Sequence, residues 1–503
     1  MILINNQIIK MVSIAISCVI ISACDVEFKN PVGSEESTSG TADFSNFVAI
    51  GDSLTAGYAD SALYLHGQEN SYPSMLAAQF AKAGGGSFAQ PLVSDNLGGL
   101  LFGGMENPDF ANRLVFDAET QSPEPIAGTP TTEVIGSGLN GNTYNNMGVP
   151  GAKSFHAGAA GYGNAAGLPA SANPYYVRFS TSGTASMIGD AAGQQPSFYV
   201  MWIGNNDVLS YATSGGVGVD QTGNTNPATY GSNDITDPMV FAGVYAQLVG
   251  AFTMANPTVQ GMLVNIPDVS TLAYFITVPY NPVPLDQANA DALNAAYAAY
   301  NGGVQAALGG GAITPEEAAL RTISFAAGQN AVVILDEDLT DLTGIIDPAV
   351  INLRQANVDD LIVLPAASII GTEAVPGNPA TVYGLGVPLG DELVLIPSEI
   401  LAIETARLAY NTTIQDAADA DLNLIFFDAA SLVEEFSATG IDYGTGYIDA
   451  TYATGGGFSL DGVHPTARGY AVIANGMIDA INAGFGANIF RVDPGERTTV
   501  FFK

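Results

Sequence analysis

The sequence predicts an α/β domain built on a mostly parallel sheet, and two observations carry that prediction. From Phe44 onward, short apolar runs alternate with amphipathic helical stretches, the pattern of strands joined by helical crossovers. The run Phe47-Val-Ala-Ile-Gly51 is an apolar, β-like stretch that feeds Gly51-Asp52-Ser53-Leu54, with a helical pattern ahead from Tyr72 to Phe80. A serine at such a strand exit is presented at the carboxyl edge of a sheet, where open α/β folds hold their ligands.

Residues 1–23 are expected to be a lipoprotein signal peptide. Lys10 precedes an apolar run that ends by Ile21, shorter than the ~20 residues needed to span a bilayer. The run closes on Ile21-Ser22-Ala23-Cys24, which resembles a bacterial lipobox, in which the cysteine is lipidated and becomes the first residue. Cys18 fits the same pattern loosely, but cleavage there would strand Val19 to Ile21 in the mature chain. Residues 24–43 are rich in Ser, Thr, Gly and Glu without periodicity and are expected to form a flexible tether from Cys24. As a random coil it would reach ~25 Å.

The remaining residues, 44–503, are expected to form one domain. Strands are expected at 47–50, 197–203, 261–266, 331–335, 393–396 and 422–427, each a short apolar run bounded by turn residues. Helices are expected at 238–255, 285–308, 398–418 and 466–483, where apolar residues recur at helical spacing. Two stretches read as insertions into a smaller core. The first, near 96–141, is rich in Gly, Pro, Asn and Thr; the second, near 275–390, mixes a helix and a strand with proline-spaced loops. Loops of this size in a domain tend to be functional covers or binding elaborations.

Composition excludes several classes of function. With 13 Lys+Arg against 49 Asp+Glu the formal net charge is −36, which repels nucleic acid and anionic headgroups. The only cysteines are Cys18 and Cys24, so the mature chain is expected to hold no disulfide and no thiolate metal site; a chain this long can bury enough core without staples. Asp336-Glu-Asp338-Leu-Thr-Asp341 lacks the glycine and terminal glutamate of a calcium loop and reads as a solvated turn. Ala152-Lys-Ser and Gly161-Tyr-Gly163 miss the glycine spacing of phosphate and dinucleotide loops. No cofactor and no metal are called for.

Three histidines, His66, His156 and His464, are the available imidazole bases. His464 lies in Asp461-Gly-Val-His464-Pro465, just before a helical pattern. A carboxylate three residues ahead, on a turn, can reach Nδ1 and leave Nε2 free to take a hydroxyl proton. His156 and His66 read as structural histidines, and Trp202, in an apolar strand, as core. Asn145-Asn146-Met-Gly148-Val-Pro-Gly151 places a glycine-rich turn after a short strand, and Gly204-Asn205-Asn206-Asp207 follows a buried one. Acyl transfer needs donors aimed at a developing oxyanion; a glycine N–H and an asparagine amide both qualify.

These four segments, in this order, resemble the SGNH (GDSL) hydrolase family. Its serine, glycine, asparagine and histidine blocks match Gly51-Asp52-Ser53-Leu54, Asn146 to Gly151, Gly204-Asn205-Asn206-Asp207 and Asp461-Gly-Val-His464. The resemblance implies a three-layer α/β/α sandwich (flavodoxin-like) with large insertions, and serine esterase or lipase chemistry. Ser53 would be the nucleophile, His464 the general base and Asp461 its orienting carboxylate. The N–H groups of Ser53 and Gly151 and the Asn206 amide would form the oxyanion hole. The expected substrate is an ester, either an acyl lipid or an O-acetylated glycan, met by an exported lipoprotein of the cell envelope at the outer membrane. Contact with the membrane would be through the lipid anchor only. The rival expectations are a non-catalytic glycan- or lipid-binding lipoprotein that reuses the fold, and a structural envelope lipoprotein. Neither rival needs an Asp-x-x-His pair.

Overall fold

Phe47 to Gly51 are all buried and form β1, an interior strand next to one edge of a five-stranded, all-parallel sheet. This computed structural model describes residues 36–136 and 143–503; Cys18, Cys24 and the expected signal peptide lie outside the described residues. Along the chain, the elements that build the core are β1 (Phe47–Gly51), α1 (Ser53–Ala56), α2 (Tyr72–Lys82), β2 (Asn146–Gly148), α3 (Met187–Ala192) and β3 (Phe198–Trp202). They continue with α4 (Asn206–Thr213), α5 (Pro238–Ala255), β4 (Gln260–Val264), α6 (Gln287–Gly309) and α7 (Pro397–Asp419). The series ends with β5 (Leu424–Phe427), α8 (Ala429–Ala438) and α9 (Ala467–Phe485).

The strand order is 2-1-3-4-5, with Gly51 level with Gly148 on one side and with Trp202 on the other. Alternation along the pleat sends Val48 and Ile50 to one apolar cluster and Phe47 and Ala49 to a second. Helices α3, α5 and α7 supply Met187, Phe241 and Tyr410 to the first; α2 and α9 supply Leu76 and Met477 to the second. Both faces of the sheet are therefore covered, as a parallel sheet of near-continuous apolar strands requires. The chain steps from β1 outward to β2, then crosses back to β3. That reversal leaves a crevice at the carboxyl ends of β1 and β3.

Local chemistry starts and stops the helices as expected. The Asp237 carboxylate accepts the N–H groups of Met239 and Val240 at 2.9 Å at the head of α5, with Pro238 in first position. Thr466 caps α9, and Gly486, at φ +60°, ends it. α5 is long and apolar enough to cross a membrane, yet it lies along the sheet with Phe241, Tyr245, Leu248 and Phe252 buried.

Three expectations need correcting. The apolar runs at 331–335 and 393–396 are strands only in part, Val333–Leu335 and Val394–Leu395. Each pairs antiparallel with a short local strand rather than joining the parallel sheet. Both belong to the 275–390 insertion and its margin, whose Tyr300, Val304 and Ile334 are continuous with the first apolar cluster. The turn at 336–341 is exposed at Glu337, Asp338 and Asp341 as expected, but Asp336 itself is buried and paired with Arg354, whose guanidinium also grips Asp360 through two bonds of 2.6 and 2.5 Å. The tether ends before residue 43. Thr38 and Asn488 exchange backbone hydrogen bonds of 3.2 and 2.9 Å, the Thr41 N–H reaches Phe485 O at 2.9 Å, and Ala42 is buried. Polar composition concealed a segment that has a backbone partner.

Gly51 has no space for a side chain: a Cβ would sit 2.1 Å from Thr55 Oγ1 and 2.2 Å from the Trp202 carbonyl. Gly51→Ala should therefore destabilise the fold by about 2 kcal/mol or more. Urea denaturation against wild type measures it, and an unchanged midpoint would refute the crowding.

Candidate active site

Asp52 leaves β1 and caps α1, its Oδ1 accepting the Leu54 N–H at 3.0 Å while Oδ2 accepts the Asn205 side-chain amide at 2.9 Å. Ser53 is consequently the first residue of a helix, where its N–H has no intrahelical acceptor. The cap is the aspartate and not the serine, which frees the Ser53 hydroxyl. Burial pushes the Asp52 carboxyl up to about 6, against the hydrogen bonds from Asn205 and Leu54 that favour its anion.

The Ser53 hydroxyl meets His464 Nε2 at 2.8 Å, and His464 Nδ1 meets Asp461 Oδ2 at 3.0 Å. The imidazole and the carboxylate are largely buried, with side chains 13% and 10% exposed. Asp461 is saturated with donors: Oδ1 accepts the N–H groups of Val463 and His464 at 2.9 and 2.8 Å, and Oδ2 accepts the Ser61 N–H at 3.0 Å. Burial would raise its pKa, but the charge and hydrogen bonds of His464 and the backbone donors more than reverse that and hold it at about 2. The ring of Tyr58 covers the imidazole with centroids 4.7 Å apart.

Ser61 presents its N–H to Asp461 from an unusual backbone. Asp60 and Ser61 have φ of +51° and +62°, which non-glycine residues rarely adopt. Asp60 is locked there by bonds from Leu460 N–H at 3.0 Å and Tyr64 OH at 2.8 Å, and its own N–H reaches Ser459 Oγ at 2.9 Å. Such strain clusters where function over-determines the backbone.

On the other side of Ser53, Gly151 turns at φ +79° after β2, and its N–H has no hydrogen-bond partner among the described residues. Asn173 holds that turn through a 2.8 Å bond to the Pro150 carbonyl. Asn206 Nδ2 donates to Ala152 O at 3.0 Å, which orients the amide and leaves its second hydrogen. Asp207 binds Ser154 N–H and Oγ at 2.7 Å each, tying the loop after β3 to the loop after β2. Ser53, Gly151, Asn206 and His464 all line one open cleft of about 390 Å³. Asp109 and Phe110, from the 96–141 insertion, form part of its rim.

All the non-lipid site residues expected from sequence thus converge, drawn from the carboxyl ends of β1, β2 and β3 and from the loop before α9. Cys24 lies outside the described residues. The other histidines are elsewhere: His66 Nε2 meets Thr498 Oγ1 at 2.8 Å, while His156 Nδ1 accepts the Lys153 N–H at 3.1 Å and stacks on Tyr162. Burial, then the Lys153 charge, depresses His156 to about 4. Trp202 is core, its Nε1 donating to Asn265 O at 3.0 Å, though its ring reaches an apolar cavity beside Ser53. Sequence reasoning missed Asn205, Asn173, Asp60 and Ser61. Asn205 carried the only local signal, as the neighbour of Asn206.

This order of groups lets a hydroxyl lose its proton to an imidazole as it attacks an electrophilic carbon, with N–H donors near the oxygen that becomes negative. Among the described residues one carboxylate trio could hold a cation: Glu337, Asp391 and Glu399, whose oxygens lie within 4.8 Å of one another. None of the three lines the cleft at Ser53. Comparison with family models, curated proteins and solved structures found no match to this chain.

That trio generates a stability prediction. Burial, then the neighbouring Glu337 and Asp391 charges, raises Glu399 to about 8; burial, then Glu337 and Glu392, raises Asp391 to about 6. Carboxyls raised in the folded state stabilise below their unfolded value near ~4, and that contribution is lost as pH climbs through the folded one. Glu337→Gln should therefore raise Tm relative to wild type more at pH 9 than at pH 5. Equal shifts at both pH values would contradict the repulsion.

Proposed function

We propose that this chain is a serine ester hydrolase working through an acyl-enzyme on Ser53. One observation carries the reading: Ser53 Oγ, His464 and Asp461 are joined in catalytic order by contacts of 2.8 and 3.0 Å at an open cleft. His464 takes the Ser53 proton on Nε2 as Oγ attacks the ester carbonyl. The tetrahedral intermediate then collapses, breaking the bond to the alcohol, which leaves with that proton. Water, deprotonated by the same nitrogen, attacks the acyl-enzyme; the acid departs and the proton returns to Ser53. Asp461 stays ionised throughout and holds the Nδ1–H tautomer. The N–H groups of Ser53 and Gly151 and the Asn206 amide serve the oxyanion.

The resemblance of the four blocks to SGNH (GDSL) hydrolases supports the same chemistry. A parallel sheet in the order 2-1-3-4-5 with helices on both faces is compatible with that family's three-layer α/β/α sandwich. We place the protein in the cell envelope, anchored through lipid on Cys24, with no cofactor.

A fluorophosphonate should label Ser53 in the folded protein and leave Ser53→Ala unmodified, as read by intact mass. A folded wild type that stays unlabelled would sink the proposal. Against p-nitrophenyl esters, Asn206→Ala should lower kcat by ~10²–10³. Asp461→Asn, which imposes the wrong tautomer, should lower it by about 10⁴. A loss below tenfold in either variant would remove that residue from its assigned role.

A further inference from the structure

Two apolar chambers adjoin each other, the first lined by Ser53 itself; Gly151 lines neither. The first, about 50 Å³, begins at Ser53 and His464 and runs between Leu209, Val269 and Leu272. Its only polar side chains besides the Trp202 indole are Ser53, Asn205 and His464. The second, about 40 Å³, has no polar side chain in its wall. Val433, Phe458, Pro465 and Ile473 line both chambers and are the partition between them. Phe458 stands edge-on to Phe436, with ring centroids 5.1 Å apart, at the base of the second chamber. Gly457 gives that ring its room: a Cβ there would meet Phe436 at 1.7 Å.

The open cleft differs in kind. Gly151, Asn206, Asp109, Ser61 and Asn173 give it polar groups, and only Ser53, His464 and Leu209 are shared with the first chamber. An ester spanning Ser53 therefore finds an almost wholly carbon-walled space on one side and, on the other, a solvent-open cleft whose walls mix those polar groups with Tyr58, Phe110 and Tyr175. A hydrocarbon chain gains by leaving water for the first; a hydroxylated or charged alcohol keeps its solvation in the second.

We infer that the first chamber holds the acyl chain and that Phe458, with Val433 and Ile473, sets the chain length by closing the second chamber. The substrate class that follows is an ester of a short unbranched fatty acid, longer than acetate, with a polar alcohol. This rests on Ser53 being the nucleophile. It narrows the choice between acyl lipid and acetylated glycan against acetate, since a chamber of this kind is left unfilled by an acetyl methyl.

The test uses the full-length protein with p-nitrophenyl acetate, butyrate, hexanoate, octanoate and palmitate, beside fluorophosphonate labelling. In wild type, kcat/KM should rise about fourfold per methylene, the ratio given by ~0.8 kcal/mol per buried CH₂, and then break before octanoate. Phe458→Ala should move the break to a longer ester by merging the chambers. Val269→Phe should fill the first chamber and make acetate the best substrate while Ser53 still labels. Labelled Ser53 with a wild-type profile that falls from acetate onward would overturn the acyl chamber. So would a break that neither variant moves while both still label. Absence of labelling in folded wild type would overturn the nucleophile itself, and the chamber's role with it.

Discussion

The structure hangs on one carboxylate. Asp461 must stay ionised while removed from water, and it does so because three backbone N–H groups and an imidazole surround it. Two of those N–H groups come from its own turn, but the Ser61 N–H comes from the opposite end of the chain, just after α1. The same contact that keeps the anion charged thus fastens the loop before α9 to the loop after Ser53. Through Asp60 and its bonds to Ser459 and Leu460, that fastening extends to the backbone leading into His464. About 1–3 kcal/mol of backbone strain at each of Asp60 and Ser61 is what the arrangement costs.

The rest of the site is held by polar groups used in pairs. Asp52 with Asn205 fixes the exit from β1, Asp207 with Ser154 joins the loops after β3 and β2, and Asn173 with the Pro150 carbonyl sets the turn at Gly151. Each pair is buried or partly buried, so an unmade bond would be expensive and the geometry has little freedom. The N–H groups of Ser53 and Gly151 and the Asn206 amide are therefore held in place without a ligand, which is the condition under which the oxyanion donors we propose would be most effective.

What could be read in the sequence was whatever depends on neighbours in the chain. Asp461 and His464 are three residues apart on a turn, Ser53 follows a strand, and Gly151 and Asn206 follow others, so their types and spacing announce their positions. The parallel sheet was legible for the same reason at 47–50, 197–203 and 261–266. The brace from Ser61 was not, because it depends on a contact across 400 positions and on a backbone conformation that serine does not advertise. The runs at 331–335 and 393–396 misled because an apolar stretch does not say which strand it will pair with. Likewise Asp336 looked solvated until Arg354, 18 positions on, was found against it.

The docking of Thr38 on Asn488 gives the molecule a polarity. α9 begins beside His464 at the carboxyl edge of the sheet and ends at Phe485, whose ring contacts Phe198 at the start of β3 with centroids 5.6 Å apart. Its nineteen residues span about 28 Å. The chain enters the fold at that far pole and the cleft opens at the near one. The first described residues and the Ser53 cleft therefore lie at opposite ends of α9, so a group joined to the chain ahead of Thr38 meets the fold at the pole farthest from the cleft.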